Sequence, residues 1–211
     1  NGKHVFIDLP GHGKSLLEDD KNPSIDFMAE AVKDVLFKEG IRDFNIVGHS
    51  MGGYVALSLK EKMSECKKVI LLNSNYWEDS QVKKKDRDRV AKIAFGAKSY
   101  FVQEAIPNLF SNHQKYQPEI DHLVAEAKLI PSEAIAYSSI AMKNRKNMSY
   151  QLDNQNYIII HGALDSLVQK GSFDLNLIGK SHFHEINNAG HMSHIENCGE
   201  VIDVLSLYLN D

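Results

Sequence analysis

The chain has 211 residues, of which 43% are hydrophobic and 25% charged, an ordinary globular composition that excludes a collagen-like, coiled-coil or disordered protein. Its formal net charge is −4, so it has no overall attraction for nucleic acid or for an anionic membrane surface. No segment approaches the roughly 20 consecutive apolar residues of a membrane-spanning helix. At about 150 residues per domain, the length favours one domain with an elaboration.

The chain contains two cysteines, Cys66 and Cys198, which lie far apart in the sequence. Their separation fits no metal-ligand spacing, so we expect free thiols in a reducing compartment, with a single disulfide as the alternative. No charged and then apolar leader follows Asn1, so the sequence shows no signal-peptide pattern. These observations predict a cytoplasmic location.

The first 75 residues alternate between apolar runs and helical patterns. The run Val5–Ile7 stops at Pro10-Gly11, which indicates a short buried strand with Asp8 at its carboxyl end. Ser24 has the chemistry of a helix N-cap, and Gly40 that of a residue that ends a helix. The expected elements are a strand at 5–7, a helix from Ser24 to Gly40, a strand at 44–47, a helix from about 51 to 66 and a strand at 69–72.

From Tyr76 to Asp153 the pattern contains helical segments only, and strands return at 157–160 and 183–186. We expect a polar helix near 170–177 and a final helix around 201–208. This alternation predicts an α/β fold with a mainly parallel, doubly wound sheet that carries helices on both faces. The helical block predicts an all-helical cap inserted between strands. The expected domains are a core of residues 1–75 and 154–211 and a helical cap of residues 76–153.

The segment Gly48-His49-Ser50-Met51-Gly52 matches the pattern G-x-S-x-G and lies between a predicted strand and a predicted helix. In this context the serine sits on a sharp, strained turn above the carboxyl edge of the sheet. The flanking glycines allow the strand and the helix to approach closely. The alternative interpretation is a glycine-rich turn with an incidental serine. We favour Ser50 as a nucleophile.

A serine hydroxyl is a poor nucleophile at neutral pH and needs a histidine base that is oriented by an acid. Asp165 follows the predicted strand at 157–160, and His191 follows the predicted strand at 183–186. Both side chains would therefore reach the sheet edge that carries Ser50. The candidates occur along the chain in the order Ser, Asp, His.

That order and four local motifs resemble the α/β-hydrolase superfamily, in particular its capped serine esterase and lipase-like branch. The resemblance covers nearly the whole chain. The helical block at 76–153 is similar to the cap that this family inserts between its sixth and seventh strands. The matching loops follow the family's fourth strand, form its nucleophile elbow, and carry its acid and its histidine, and they span Asp8–Ser15, Gly48–Gly53, Gly162–Val168 and Gly190–Asn197.

The resemblance implies a serine hydrolase that cleaves a carboxylic ester or a related small acyl compound without a metal or an organic cofactor. It implies that Ser50 attacks the carbonyl carbon, that His191 transfers the proton and that Asp165 holds the imidazole tautomer. The backbone N–H of Met51 is expected to form half of the oxyanion hole. The alternatives are a carbon-carbon bond hydrolase, a lactonase, a thioesterase, or a catalytically silent member that binds a small ligand.

The resemblance also implies an N-terminal segment of the core that precedes Asn1. The family's third strand lies between its fourth and fifth strands, and the loop after it carries the second oxyanion-hole donor. We expect roughly 40 to 70 further residues to complete the sheet, from usual strand and connection lengths, supplied by the same protein or by another chain. The 211-residue chain expressed alone is predicted to be insoluble or inactive.

Several other residues have competing interpretations. His194 is an alternative base, and Asp8 and Asp79 are alternative acids. Residues 11–15 resemble a phosphate loop only superficially, because the spacing of G-x-x-x-x-G-K-[ST] is absent. His182 and His184 lie on one face of a predicted strand without a third metal ligand, so we interpret them as a solvated edge.

The substrate pocket is the least defined part of the prediction. His12 and His49 lie in the expected site loops. The alternative interpretation of His12 is that it stabilises its own loop. Most of the large apolar cap residues are expected to pack the cap helices together, and a minority to line the pocket. The charged run Lys83–Arg89 is interpreted as a solvated helix face. The candidate pocket residues are His12, His49, Trp77, Phe101, Tyr137 and Met142.

Overall fold

The computed structural model describes residues 3–17, 22–152, 156–179 and 182–209, so the predicted cap boundary at Asp153 lies outside the described residues. Four parallel strands form one sheet, in which their order is the order of the chain. This confirms the predicted α/β fold and the parallel sheet. The strands are β1 Phe44–His49, β2 Cys66–Leu72, β3 Tyr157–Gly162 and β4 Phe183–Ile186.

Helices precede, connect and follow these strands, and the described residues between β2 and β3 contain no strand. The polar helix expected near 170–177 is instead a 3-10 turn at Lys170–Ser172 and a single helical turn at Leu175–Ile178. The helices are α1 Ile25–Lys38, α2 Met51–Lys62, α3 Gln81–Gly96, α4 Lys98–Ala105, α5 Gln117–Leu129, α6 Ser132–Asn144, α7 Leu175–Ile178, α8 Ser193–Glu196 and α9 Cys198–Leu209. None of the helices in the described part of the chain is both long and apolar enough to cross a bilayer.

Ser24 and Gly40 bound α1 as the sequence predicts. The Ser24 hydroxyl accepts a hydrogen bond of 3.0 Å from the backbone N–H of Phe27, which satisfies a donor of the first turn. Gly40 follows the helix with φ +63°, a conformation that favours glycine. Between these ends, Met28, Val32 and other apolar residues at helical spacing are buried against α2.

The sheet separates two apolar layers because successive strand residues point to opposite faces. In β2, Val69 and Leu71 belong to a cluster that includes Leu57 of α2, whereas Ile70 and Leu72 belong to a cluster that includes Val201 of α9. β3 alternates in the same way between these two layers. The central strands β2 and β3 are therefore buried on both faces, as in a parallel sheet that helices cover on both sides.

The strand predicted at Val5–Ile7 is absent, and this prediction was wrong. Residues 3–9 have no strand pairing, and Phe6 is 96% exposed. A strand needs a neighbour for its backbone groups, and no described strand pairs with this segment or with the outer edge of β1. Asp8 instead closes a turn, because its carboxylate accepts a hydrogen bond of 2.9 Å from the backbone N–H of Lys14.

The helical segment between β2 and β3 packs on itself and on the rest of the molecule. α3 lies along α6, and α6 also contacts α1. Through Tyr137 and Ala141, α6 takes part in the apolar cluster between α1 and α2. The division of the chain into a core and a cap domain stays a prediction.

Candidate active site

Ser50 occupies a strained turn between β1 and α2, with φ 51° and ψ −118°. Its backbone N–H donates to the carbonyl of Leu72 (3.1 Å), and its carbonyl accepts from the Ser74 hydroxyl (2.7 Å). A Cβ at Gly48 would lie 2.3 Å from the carbonyl oxygen of Gly52, so glycine is required there. The surrounding contacts thus hold Ser50 in a conformation that non-glycine residues rarely adopt.

Three side chains form a continuous hydrogen-bonded chain at the carboxyl edge of the sheet. Ser50 Oγ lies 2.9 Å from His191 Nε2, and His191 Nδ1 lies 2.9 Å from Asp165 Oδ2. His191 and Asp165 are 4% and 7% exposed, respectively. The three residues follow β1, β4 and β3, so the parallel sheet brings together positions that are up to 141 residues apart. His191, and not His194, lies beside the serine.

The carboxylate of Asp165 is held by donors on both of its oxygens. Oδ1 accepts from the backbone N–H groups of Leu167 (2.9 Å) and Val168 (3.1 Å). Burial alone would raise the pKa of Asp165, but the hydrogen bond and charge of His191, then hydrogen bonds from Asn73 and Val168, lower it below its usual value. Asp165 is therefore an ionised acceptor that fixes the proton of His191 on Nδ1.

Asn73 is a member of this network that sequence reasoning missed. It follows β2 with φ 46°, and its Nδ2 donates to Asp165 Oδ2 and to the carbonyl of Gly190, both at 3.0 Å. Its Oδ1 accepts from the hydroxyl of Ser193. The available signal was its position, because it directly follows a buried strand at the same sheet edge as Ser50.

His49 lies behind His191 and not in the cleft. Its Nε2 lies 2.8 Å from the backbone carbonyl of His191, and since a carbonyl only accepts, Nε2 is the donor. Its ring lies 4.6 Å from that of His194. Burial, then the charges of His191 and His194, lower the pKa of His49 to about 3. His49 is therefore neutral and supports the loop that carries His191.

Met51 begins α2, so its N–H belongs to the first helical turn, where amides have no intrahelical acceptor. The positive end of the helix dipole lies at the same place. Met51 and Ser50 line one cleft together with His191. The position of Met51 fits an oxyanion-hole donor.

This cleft has a volume of about 1050 Å³. Of the six candidate pocket residues, four line it: His12, Trp77, Phe101 and Met142. Contrary to the prediction, His49 and Tyr137 do not. Tyr137 packs its ring edge-on against Phe27 in the apolar cluster between α1 and α2, because α6 turns that side chain toward the core.

The alternative candidates have other partners. Asp79 is buried and forms ion pairs with Arg145 (2.8 Å) and Arg87 (3.0 Å) and not with a histidine. His184 Nε2 lies 2.6 Å from the hydroxyl of Tyr208. Within the ranges that the structure describes, no three His, Cys, Asp or Glu side chains are grouped so that they could hold a metal ion.

Comparisons with known proteins agree with this architecture. Residues 1–204 match the model of the alpha/beta hydrolase family. Over 69 residues the chain is 32% identical to a protein of Mycoplasma genitalium named "Putative esterase/lipase 1"; this match covers 32% of the chain and 26% of that protein. It therefore spans about a quarter of the curated relative.

Solved structures extend the likeness to almost the whole chain. A thermophilic esterase from Thermogutta terrifontis, with malate bound, superposes with a TM-score of 0.86 at 24% identity, over 96% of this chain and 78% of that one. MenH from S. aureus superposes with a TM-score of 0.79 at 25% identity, over 97% and 82%. The chain belongs to the alpha/beta hydrolase family.

Proposed function

We propose that the protein is a serine hydrolase that cleaves a carboxylic ester or a related acyl compound through an acyl-enzyme. The observation that carries the proposal is the chain of two 2.9 Å hydrogen bonds that links Ser50 to His191 and His191 to Asp165, with Ser50 and His191 lining a large cleft. A buried histidine between a serine and an ionised carboxylate is the arrangement that activates a hydroxyl.

In the proposed reaction, Ser50 Oγ attacks the carbonyl carbon while His191 Nε2 accepts its proton. Asp165 keeps the other ring proton on Nδ1 and stabilises the imidazolium. The N–H of Met51 donates to the oxyanion, an interaction worth about 2.7 to 4 kcal/mol. His191 then protonates the leaving group, and water releases the acyl group from Ser50 by the reverse sequence.

The names of the relatives support the ester as the first substrate class to test. Besides the esterases, one structure with a similar fold is an enol-lactonase from Burkholderia xenovorans, which also acts on an acyl-oxygen bond by its name. An ester, thioester and lactone panel therefore defines the acyl specificity. The shared requirement of these reactions is a nucleophilic serine.

A fluorophosphonate probe, applied to the full-length protein, tests the nucleophile directly. We expect stoichiometric labelling of Ser50, and its loss in Ser50→Ala and His191→Ala. Ser206→Ala is the matched control, since Ser206 lies exposed on α9 and bonds only to its own helix. A correctly folded protein that the probe does not label would overturn the hydrolase and favour a silent ligand-binding member of the family.

A further inference from the structure

One face of α3 and the residues before it bring charge into the same cleft as Ser50. Five charged side chains of this region line it: Glu78, Asp79, Lys83, Lys84 and Arg87. Three cations thus face two carboxylates, although the chain as a whole carries a net charge of −4. The charged run is therefore more than the solvated helix face that its sequence predicts.

The two carboxylates among these five side chains, those of Glu78 and Asp79, already form ion pairs. Glu78 pairs with Lys84 at 2.7 Å. Asp79, 6% exposed, binds Arg145 through Oδ1 and Arg87 through Oδ2. Burial alone would raise the pKa of Asp79, but the hydrogen bonds and charges of the two arginines outweigh burial and lower it. Asp79 is therefore a fixed negative charge shared by two cations.

The guanidinium of Arg145 is fully engaged in contacts within the protein. Its guanidinium lies 4.1 Å from the ring centroid of Tyr54 and donates to the carbonyls of Trp77 (3.0 Å) and Met142 (2.8 Å) as well as to Asp79. Its side chain is 5% exposed. It cannot reach a ligand in the cleft without breaking these contacts.

Arg87 differs in that only its Nε is used, in the 3.0 Å bond to Asp79. Its two Nη groups bond to none of the described residues, and its side chain is 21% exposed. Four residues earlier, Lys83 has one long contact, 3.4 Å from Nζ to the carbonyl of Leu167. Asp79 thus orients Arg87 through its Nε, and the Nη donors of Arg87 remain available one helical turn from Lys83.

We propose that Arg87, assisted by Lys83, binds a carboxylate on the acyl substrate, so that the preferred substrate carries an anionic group remote from the scissile carbonyl. The planar guanidinium offers paired N–H donors that match the two oxygens of a carboxylate. Asp79 fixes the arginine before binding, which reduces the entropy lost on binding. This substrate class rests on the proposed serine hydrolase.

A pair of activated esters tests the proposal. The p-nitrophenyl monoester of glutaric acid carries a terminal carboxylate, whereas p-nitrophenyl pentanoate is a neutral ester of similar length. We expect the protein to favour the anionic ester in kcat/KM. Arg87→Gln should lower kcat/KM for that ester about 10- to 100-fold, mainly through KM, the effect of losing a hydrogen bond to a charged group. The neutral ester has no carboxylate for Arg87 to bind, so its kcat/KM should fall by a clearly smaller factor than that of the anionic ester.

Arg89→Gln is the matched control, because Arg89 lies two residues further along α3, is 68% exposed and pairs with Asp86 outside the cleft. It should leave the preference unchanged. Equal kcat/KM for both esters, or an equal loss on both in Arg87→Gln, would overturn the proposal and assign Arg87 a structural role.

Binding of glutarate to Ser50→Ala, measured by calorimetry with and without Arg87→Gln, separates the subsite from the reaction. Binding that depends on Arg87 in a protein without ester turnover or probe labelling would retain the subsite and refute the hydrolase. Ester turnover without a preference for the anionic ester would support the hydrolase and refute the subsite. Equally tight binding of inorganic phosphate would overturn the assignment to a carboxylate.

Discussion

Asp165 Oδ2 accepts two hydrogen bonds, one from Asn73 Nδ2 and one from the protonated Nδ1 of His191. One carboxylate oxygen therefore receives two donors, one from the loop after β2 and one from the loop after β4. Through its second bond, to the carbonyl of Gly190, Asn73 also fixes the residue before His191. The orientation of the histidine thus depends on the loops that follow β2, β3 and β4.

We expect Asn73→Asp to lower kcat/KM at pH 7 by about 10- to 100-fold, because it replaces a donor to a charged group by a like charge. The same repulsion should raise the pKa of Asp165 and move the acid limb of the pH–rate profile to higher pH. Asn45→Asp is the control. Asn45 lies on β1, and its side-chain Oδ1 accepts a hydrogen bond from the backbone N–H of Lys68, an acceptor role that aspartate keeps. A change in rate without a shift of the acid limb would contradict this role.

The neutral His49 predicts a pH-dependent stability. Its pKa is about 3 in the folded protein and about 6.5 when unfolded, so between these values the unfolded chain binds a proton that the folded chain does not. The free energy of unfolding should therefore fall as the pH decreases below about 6.5, by at most about 1.4 kcal/mol per pH unit from this group. The contribution is complete at neutral pH.

His49→Gln removes this titration and keeps a donor for the carbonyl of His191. In urea unfolding, the loss of stability between pH 7 and pH 5 should be smaller than in the unsubstituted protein by up to about 2 kcal/mol. His161 and His194 act in the same direction, since burial lowers the pKa of each, and their effect remains in both proteins. An unchanged pH dependence would refute the linkage to His49.

The two glycines of the G-x-S-x-G pattern should respond in opposite ways. A Cβ at Gly48 would meet the backbone of α2, whereas a Cβ at Gly52 would have nothing within 4 Å. Gly48→Ala should destabilise the protein by about 3 kcal/mol through overpacking. Gly52→Ala should be neutral or stabilise it by less than the roughly 1 kcal/mol of a helix interior, because Gly52 lies in the first turn of α2. Thermal unfolding checks both, and equal effects would contradict the close approach of strand and helix at Gly48.

Glu196 ties the histidine loop to the segment after α4. The residue is 9% exposed, and its carboxylate accepts hydrogen bonds from the backbone N–H groups of Ser111 (2.7 Å) and Gly190 (2.6 Å). Glu196→Gln should lower the free energy of unfolding by about 1 to 3 kcal/mol, because a charged acceptor of buried donors is lost. Glu200→Gln, which changes a carboxylate bonded to Asn187 and Asn197, should cost less than about 1 kcal/mol. Urea unfolding measures both, and equal losses would contradict the distinct role of Glu196.

The sheet and the Ser50, Asp165 and His191 candidates could be predicted because each residue lies within five positions of the end of a predicted strand. Asn73 has the same position, but asparagine after a strand is also an ordinary turn residue, so its amide role is visible only in the folded structure. Val5–Ile7 has the composition of a strand, yet a strand depends on a neighbour that composition does not show. Tyr137 was misplaced because helical spacing does not say which face of α6 meets the core.

The strands lie in the sheet in chain order, and Ser50 and His191 are 141 positions apart in the sequence. The candidate site therefore consists of long-range contacts, which form slowly during folding because their loops must close first. Local helices can be complete while Ser50 still lacks His191. During refolding, recovery of probe reactivity should thus lag behind recovery of the helical circular dichroism signal, so that chemistry at Ser50 reports completion of the fold.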